Sequence, residues 1–234
     1  MTGVFRLKAG GTYWPYEAWQ YDHGPAISRL CHMRVDYAGV VPVLGRAAYV
    51  NRQGTMDGRV LGLLSVVSGH GLEYDISELT TFLNDALIWC PGLLAGLHTS
   101  WTDLEQNQFE VRLRDHNLTV AGRVTIDHTG HPILFTTRDR YVELDGSLAR
   151  TEWHTPVTGW VTVDDHPVPT EWQAIWQLPT GPFRYADLDL DVASVQFNCD
   201  PGGCHHTRRT TGGQSDVDQT STPRIGDGDR RLER

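Results

Sequence analysis

Short runs in which apolar and polar residues alternate fill the chain up to about residue 198, and a single stretch replaces that alternation with helical spacing. This pattern limits the fold more than any other feature. A period of two belongs to strands with one buried face, and a period of three to four belongs to a helix. Phe109, Val111 and Leu113 alternate with Glu110, Arg112 and Arg114, and Leu118, Val120, Val124 and Ile126 repeat the pattern. Residues 13–21, 29–37 and 46–51 read as strands. A long strand over 55–67 follows, in which Met56, Val60, Leu64 and Val66 share one side, and Gly58 and Gly62 mark a bulge or bend. Further strands are expected near 133–137, 151–163, 168–177, 183–190 and 192–197, with turns at Asp127–Gly130, Asp164-Asp165 and Gly181-Pro182.

The exception is the run Ile76, Leu79, Phe82, Leu83, Ala86 and Leu87, whose spacing predicts a helix from near Asp75 to just before Pro91. Asp75 and Glu78 have the spacing of a capping box, and Pro91 is placed to open a second short helix through Leu97. About ten or eleven strands with one helical insertion define a mainly β, α+β chain rather than a parallel α/β sheet. From Cys199 onward Thr, Ser, Gly, Asp and Arg replace the apolar residues. One domain over 1–198 and a disordered polar tail over 199–234 are expected, because such a tail buries too little surface to offset its ordering entropy.

Several segments, taken in order, carry a resemblance. They are Trp14-Pro15-Tyr16-Glu17-Ala18, then Gly54-Thr55-Met56 and Gly62, then Gly71 through Leu79, then Leu83-Asn84-Asp85 with Pro91 and Trp101. The last is Arg150-Thr151-Glu152-Trp153-His154-Thr155-Pro156, followed by Pro169-Thr170, Trp176, Gly181 and Tyr185. Together they resemble an uncharacterised prokaryotic domain-of-unknown-function family whose fold is similar to that of the bacterial lipoprotein-localisation factors. The resemblance covers residues 1 to 198. It implies a curved antiparallel half-barrel sheet whose concave face is covered by the helical insertion, and a cavity between them. It implies no established activity.

The net charge of −9 disfavours a nucleic-acid backbone or an anionic membrane surface as partner, since both need clustered positive charge. No apolar run is long enough for a transmembrane helix, and the first residues do not read as a secretory signal, so a cytoplasmic location with reduced cysteines is expected. No His-Glu-x-x-His, Gly-x-Ser-x-Gly or phosphate-binding glycine loop occurs, and neither a cofactor nor a metal is expected. Cys199, Cys204, His205 and His206 form a ligand-like string, but it lies in the polar tail. Asp187, Asp189 and Asp191 alternate and read as a solvated edge strand.

Three readings of function stay open. The first is a binding module for an apolar or amphipathic, lipid-like small molecule. Its cavity would be lined by Trp14, Met56, Leu64, Trp172 and Trp176 and covered by Phe82 and Leu83, with Asn84 or Arg138 at the rim to orient a polar head group. The second is an enzyme using Glu78, Asp85, His70 or Tyr74 as acid and base in the same hollow. The third is a structural or partner-binding protein whose aromatics fill the interior. Arg138 and Arg140 are candidate partners for the carboxylates on the helix.

Overall fold

A computed structural model describes residues 1–144 and 146–199. The polar tail with its Cys204-His205-His206 string lies outside the described residues, apart from Cys199. The strands are β1 (Thr2–Phe5), β2 (Trp14–His23), β3 (Ser28–Tyr37), β4 (Val41–Val50), β5 (Gln53–Val60) and β6 (Leu64–His70), then β7 (His98–Glu105), β8 (Gln108–Asp115), β9 (Leu118–Ile126) and β10 (Pro132–Thr137). They continue with β11 (Tyr141–Leu144), β12 (Ser147–Arg150), β13 (Trp153–Val163), β14 (His166–Leu178) and β15 (Gly181–Asp189). Between β6 and β7 runs the helix α1 (Leu72–Trp89), followed by a single 3-10 turn at Pro91–Leu94.

Thirteen of these strands form one antiparallel sheet in the order β6-β5-β4-β3-β2-β1-β15-β14-β13-β10-β9-β8-β7, and β11 and β12 make a separate two-stranded ribbon. The order explains the topology. The chain meanders outward from β1 to the edge strand β6, and α1 then carries it to the opposite edge, β7. From there the chain meanders back until β15 pairs with β1. The helix packs on β4, β5 and β6 from one half of the sheet and on β9, β10 and β14 from the other. Strands so far apart in the order reach one helix only if the sheet bends around it. The sheet does not close into a barrel, since β6 and β7 remain its edges.

The side chains explain this bend. Val111, Leu113, Val120, Val124, Phe135, Trp153, Trp172, Ala174 and Trp176 all lie on the inner face and pack with Leu79, Phe82, Leu83 and Ala86 of α1 into one core. Residues 77–88 of α1 are all buried, so this helix is wrapped rather than laid on a surface. Its first turn comes so near the sheet that Gly54 and Gly69 are required there. A Cβ on Gly54 would collide with the backbone of Tyr74, and one on Gly69 with the Tyr74 ring.

Several expectations are corrected. The strand over 55–67 is a hairpin, because Leu61 (φ 53°) and Gly62 (φ 71°) turn the chain; the bulge falls between Gly58 and Arg59. The helix begins at Leu72 with Gly71 as N-cap, and Asp75 and Glu78 bind groups on the sheet instead of capping. The strand over 192–197 is replaced by a 3-10 turn at Val192–Ser194, and β1, β7, β11 and β12 add to the strand count. Asp187 and Asp189 lie on β15, an interior strand between β1 and β14, so they face solvent across the sheet rather than from an edge.

Candidate functional site

Strand register organises the inner face of the first half into rows. The uppermost row joins Asp22, Arg29, Tyr49 and Gly54. Next come Gln20, Cys31, Ala47, Met56 and Gly69, then Ala18, Met33, Gly45, Gly58 and Val67. The lowest row runs Leu64–Val60–Val43–Val35–Tyr16 and continues through Gly3 and Leu188 to Trp172 and Val157. The face thus passes from charged under the helix to wholly apolar away from it.

Coverage follows the same gradient. Trp172 and Val157 are buried in the core that holds α1. Tyr16, Ala18, Cys31, Val35 and Ala47 form a second cluster that contains no residue of α1, and Trp14, Met33, Val43 and Met56 flank it partly buried. At the end of the lowest row Leu64 is 68% exposed. Trp14 stands on β2 two residues before Tyr16, its ring centroid 5.2 Å from that of Tyr37. Met33 lies across the space left by Gly45.

Under the helix the rows meet a buried ionic cluster. Arg29 is 7% exposed. Its Nε donates to Asp85 Oδ2 at 2.6 Å, one Nη to Glu78 Oε2 at 3.1 Å and the other to Gln20 Oε1 at 3.1 Å. Gln20 Nε2 donates to both Asp85 Oδ2 and Asp22 Oδ2 at 2.8 Å, and Asn84 Nδ2 donates to Asp85 Oδ1 at 2.9 Å. Burial opposes the charge on Arg29, but Asp85, with Glu78 and Asp22, outweighs it and holds the guanidinium firmly ionised. One cation does not balance three carboxylates. Burial, reinforced by Asp85, pushes the Asp22 carboxyl up to about 7, and burial likewise raises Glu78. Asp22 Oδ1 has no hydrogen-bond partner among the described residues, so it is the free position for the added proton. Arg140 completes the surroundings, its Cζ 4.2 Å from the Trp153 ring centroid and 5.3 Å from that of Trp176.

The residues expected to line a cavity are therefore separated. Phe82, Leu83, Trp172 and Trp176 are core residues in contact with one another, since α1 sits deep enough to fill the space between them. Asn84 lies buried in the ionic cluster rather than at a rim. Arg138 is exposed and bound to Glu152 at 3.0 Å, away from the carboxylates of the helix, because Thr137 before it takes the inward position. Trp14 and Met56 flank the second cluster partly buried, and Leu64 is exposed at the end of the lowest row. Of the candidate acids and bases, Glu78 and Asp85 are held by Arg29, Tyr74 covers Gly69, and His70 is exposed at the end of β6. No cluster of three or more metal-ligating side chains occurs among the described residues.

Arg29 is the residue that the sequence reading missed as part of a site. Its parity on β3 is that of Cys31 and Val35, so an arginine on the apolar side of the strand was the available signal. Gln20 and Asp22 carry the same signal on β2, in phase with Tyr16 and Ala18.

Two clefts open elsewhere on the molecule. One, of about 840 Å3, is lined by Arg138, Arg150, Glu152, His154 and Gln177. There the hydrogen bond from His154, at 2.7 Å, holds Glu152 below the usual carboxylate range. The other, of about 920 Å3, lies where the two halves of the sheet approach each other.

Fold and site define a class: an open antiparallel sheet wrapped round a central helix, ionic beneath the helix and apolar where the helix leaves it bare. The chain belongs to a family of unknown function (DUF6544), whose model matches residues 1–188. No curated protein and no solved structure matches it. No helix among the described residues is long and apolar enough to cross a membrane.

Proposed function

We propose that the chain is a half-barrel binding module for an apolar or amphipathic small molecule, with a fold related to that of the lipoprotein-localisation factors. The observation that carries this reading is the apolar row that is buried at Trp172 and Val157, stays buried without the helix at Tyr16 and Val35, and opens through half-buried Val43 and Val60 to exposed Leu64. A row that served only to seat α1 would end where the helix ends. The ligand surface lies lower on the sheet than the sequence suggested, on Trp14, Met33, Val43, Met56, Val60 and Leu64. Met33 is an unbranched, adaptable side chain over a glycine, and it can move to admit a chain or ring. Each Å2 of apolar ligand surface removed from water there contributes about 25 cal/mol, enough for a lipid-sized molecule to bind without a charged anchor. The ionic cluster holds Glu78 and Asp85 on Arg29 and acts as the post that fixes α1 on the sheet, which argues against acid–base chemistry by those two carboxylates.

Tryptophan fluorescence titrated with a panel of fatty acids and an apolar dye tests this. Saturable quenching that Val60→Asn weakens several-fold supports the reading. An unchanged spectrum with every ligand, or a response equal in the variant, overturns it.

A further inference from the structure

The cleft of about 920 Å3 lies at the other ends of the strands from the open apolar row. Along β4, Tyr49 beneath this cleft and Val43 in that row stand six residues apart, roughly 20 Å at the rise of a strand. Its walls come from four separate places: the β2–β3 turn with Ile27, the β4–β5 turn with Arg52, the approach to β7 with Leu97 and His98, and the end of β8 with Arg114 and His116.

The charge here runs against that of the chain. The protein carries a net charge of −9, yet this cleft gathers two arginines and two histidines around one carboxylate. That carboxylate, Asp115, is buried and already engaged, accepting from Tyr49 Oη at 2.7 Å and meeting His116 Nδ1 at 2.8 Å. Arg29, Arg34, Arg112, Arg138, Arg150 and Arg184 each hold a carboxylate. Neither Arg52 nor Arg114 does so among the described residues. Arg114 spends only its Nε, on the carbonyl of His116 at 2.9 Å, which leaves both of its Nη groups. Two guanidiniums in one concave site, neither in an ion pair with a carboxylate, match a group with several anionic oxygens.

The backbone fixes where Arg52 stands. Asn51 (φ 52°) and Arg52 (φ 66°) are the two central residues of a tight turn closed by Val50 and Gln53. The second of these positions is one where glycine is the residue that fits without strain. An arginine held there is a local cost retained in the fold. On His116, the contact of Nδ1 with Asp115 leaves Nε2 as the ring nitrogen open to a phosphate oxygen or hydroxyl. Pro25, Ala26, Ile27 and Leu97 give the remaining wall an apolar character.

We propose that this cleft binds a small phosphate monoester with an apolar body, its phosphate held by Arg52 and Arg114 and its body against Ile27 and Leu97. Calorimetric titration of the full chain with phenyl phosphate, inorganic phosphate and phenol at low salt tests it. Phenyl phosphate saturates one site, inorganic phosphate binds more weakly and phenol not at all. Arg52→Gly and Arg114→Gln each weaken phenyl phosphate about tenfold or more, as loss of a charge-assisted contact should. Glycine suits the turn, so Arg52→Gly keeps or raises the melting temperature, which separates lost binding from lost folding. The assignment is overturned by the absence of saturation, by equal binding of phenol, or by affinity unchanged in both variants. Inorganic phosphate binding as tightly as phenyl phosphate overturns the role of the apolar wall. A failure of the fatty-acid titration leaves this site untouched, because the two lie at opposite ends of the strands.

Discussion

Tyr49 Oη donates to Asp115 Oδ2 at 2.7 Å, and the two residues sit on β4 and β8, third from one edge and second from the other in a sheet of 13 strands. Both are buried. The bond ties the two halves of an open sheet together through side chains, where no backbone ladder joins them. Burial, with the hydrogen bond to Asp115, raises the Tyr49 phenol far above its ordinary value, so it stays a neutral donor. Tyr49→Phe keeps the ring and strands a buried carboxylate. A loss of about 2 kcal/mol in urea unfolding is expected, at the level of a hydrogen bond to a charged group. A change below about 0.5 kcal/mol would mean that the halves are held by the core alone.

The Arg29 cluster gives an asymmetric prediction. Arg29→Met removes the cation that is bonded to both Asp85 and Glu78 and should cost about 3–5 kcal/mol, since buried charges are left without their ion pair. Adding Glu78→Gln and Asp85→Asn to that variant should recover most of the loss. Arg29→Lys should not rescue, because one ammonium cannot reach the two carboxylates and Gln20 in the geometry of a guanidinium. Equal stability of the single and triple variants in chemical denaturation would contradict the cluster's role in fixing α1.

Asp22 makes stability depend on pH in a defined direction. Its folded-state value of about 7 lies above the ordinary 3.8, so between those limits the folded chain holds a proton that the unfolded chain has released. Stability from this group therefore falls as pH rises from about 4 to about 7 and levels off above that. Glu78, also raised, acts in the same direction. Asp127 and Glu152 are lowered from ordinary values of 3.8 and 4.5, so their opposite contribution is confined to the acid end of this window. Unfolding curves at pH 5 and pH 8 should show wild type losing stability relative to Asp22→Asn, which keeps its hydrogen bonds without a charge. A parallel pH response in the two proteins would show that Asp22 carries no such proton.

Much of the fold was legible because alternation reports burial directly. Val111, Leu113, Val120 and Val124 share the apolar phase of their strands, and all four are buried. What failed were features with no periodic signature. The four residues of β1 are too short to show a pattern, and the turn at Leu61–Gly62 sits in a run where parity continues across it, because Leu64 pairs with Val60 on the same face. The site was less legible than the fold. Asp75 and Glu78 have capping spacing, but Gly54 N–H and Arg29 compete for them from strands distant in sequence. The reach of α1 decides which apolar residues stay open, and helix length alone does not say where on the sheet the helix will lie.

The central claim is that the inner apolar row remains accessible beyond the helix. The most direct measurement is methyl NMR of the full chain, with leucine and valine methyls labelled and a long-chain fatty acid titrated in. The account predicts saturable shifts at Val43, Val60 and Leu64, with Leu79 and Leu83 in the core unmoved. Shifts confined to Leu44 and Leu63, or none at any methyl, would contradict it.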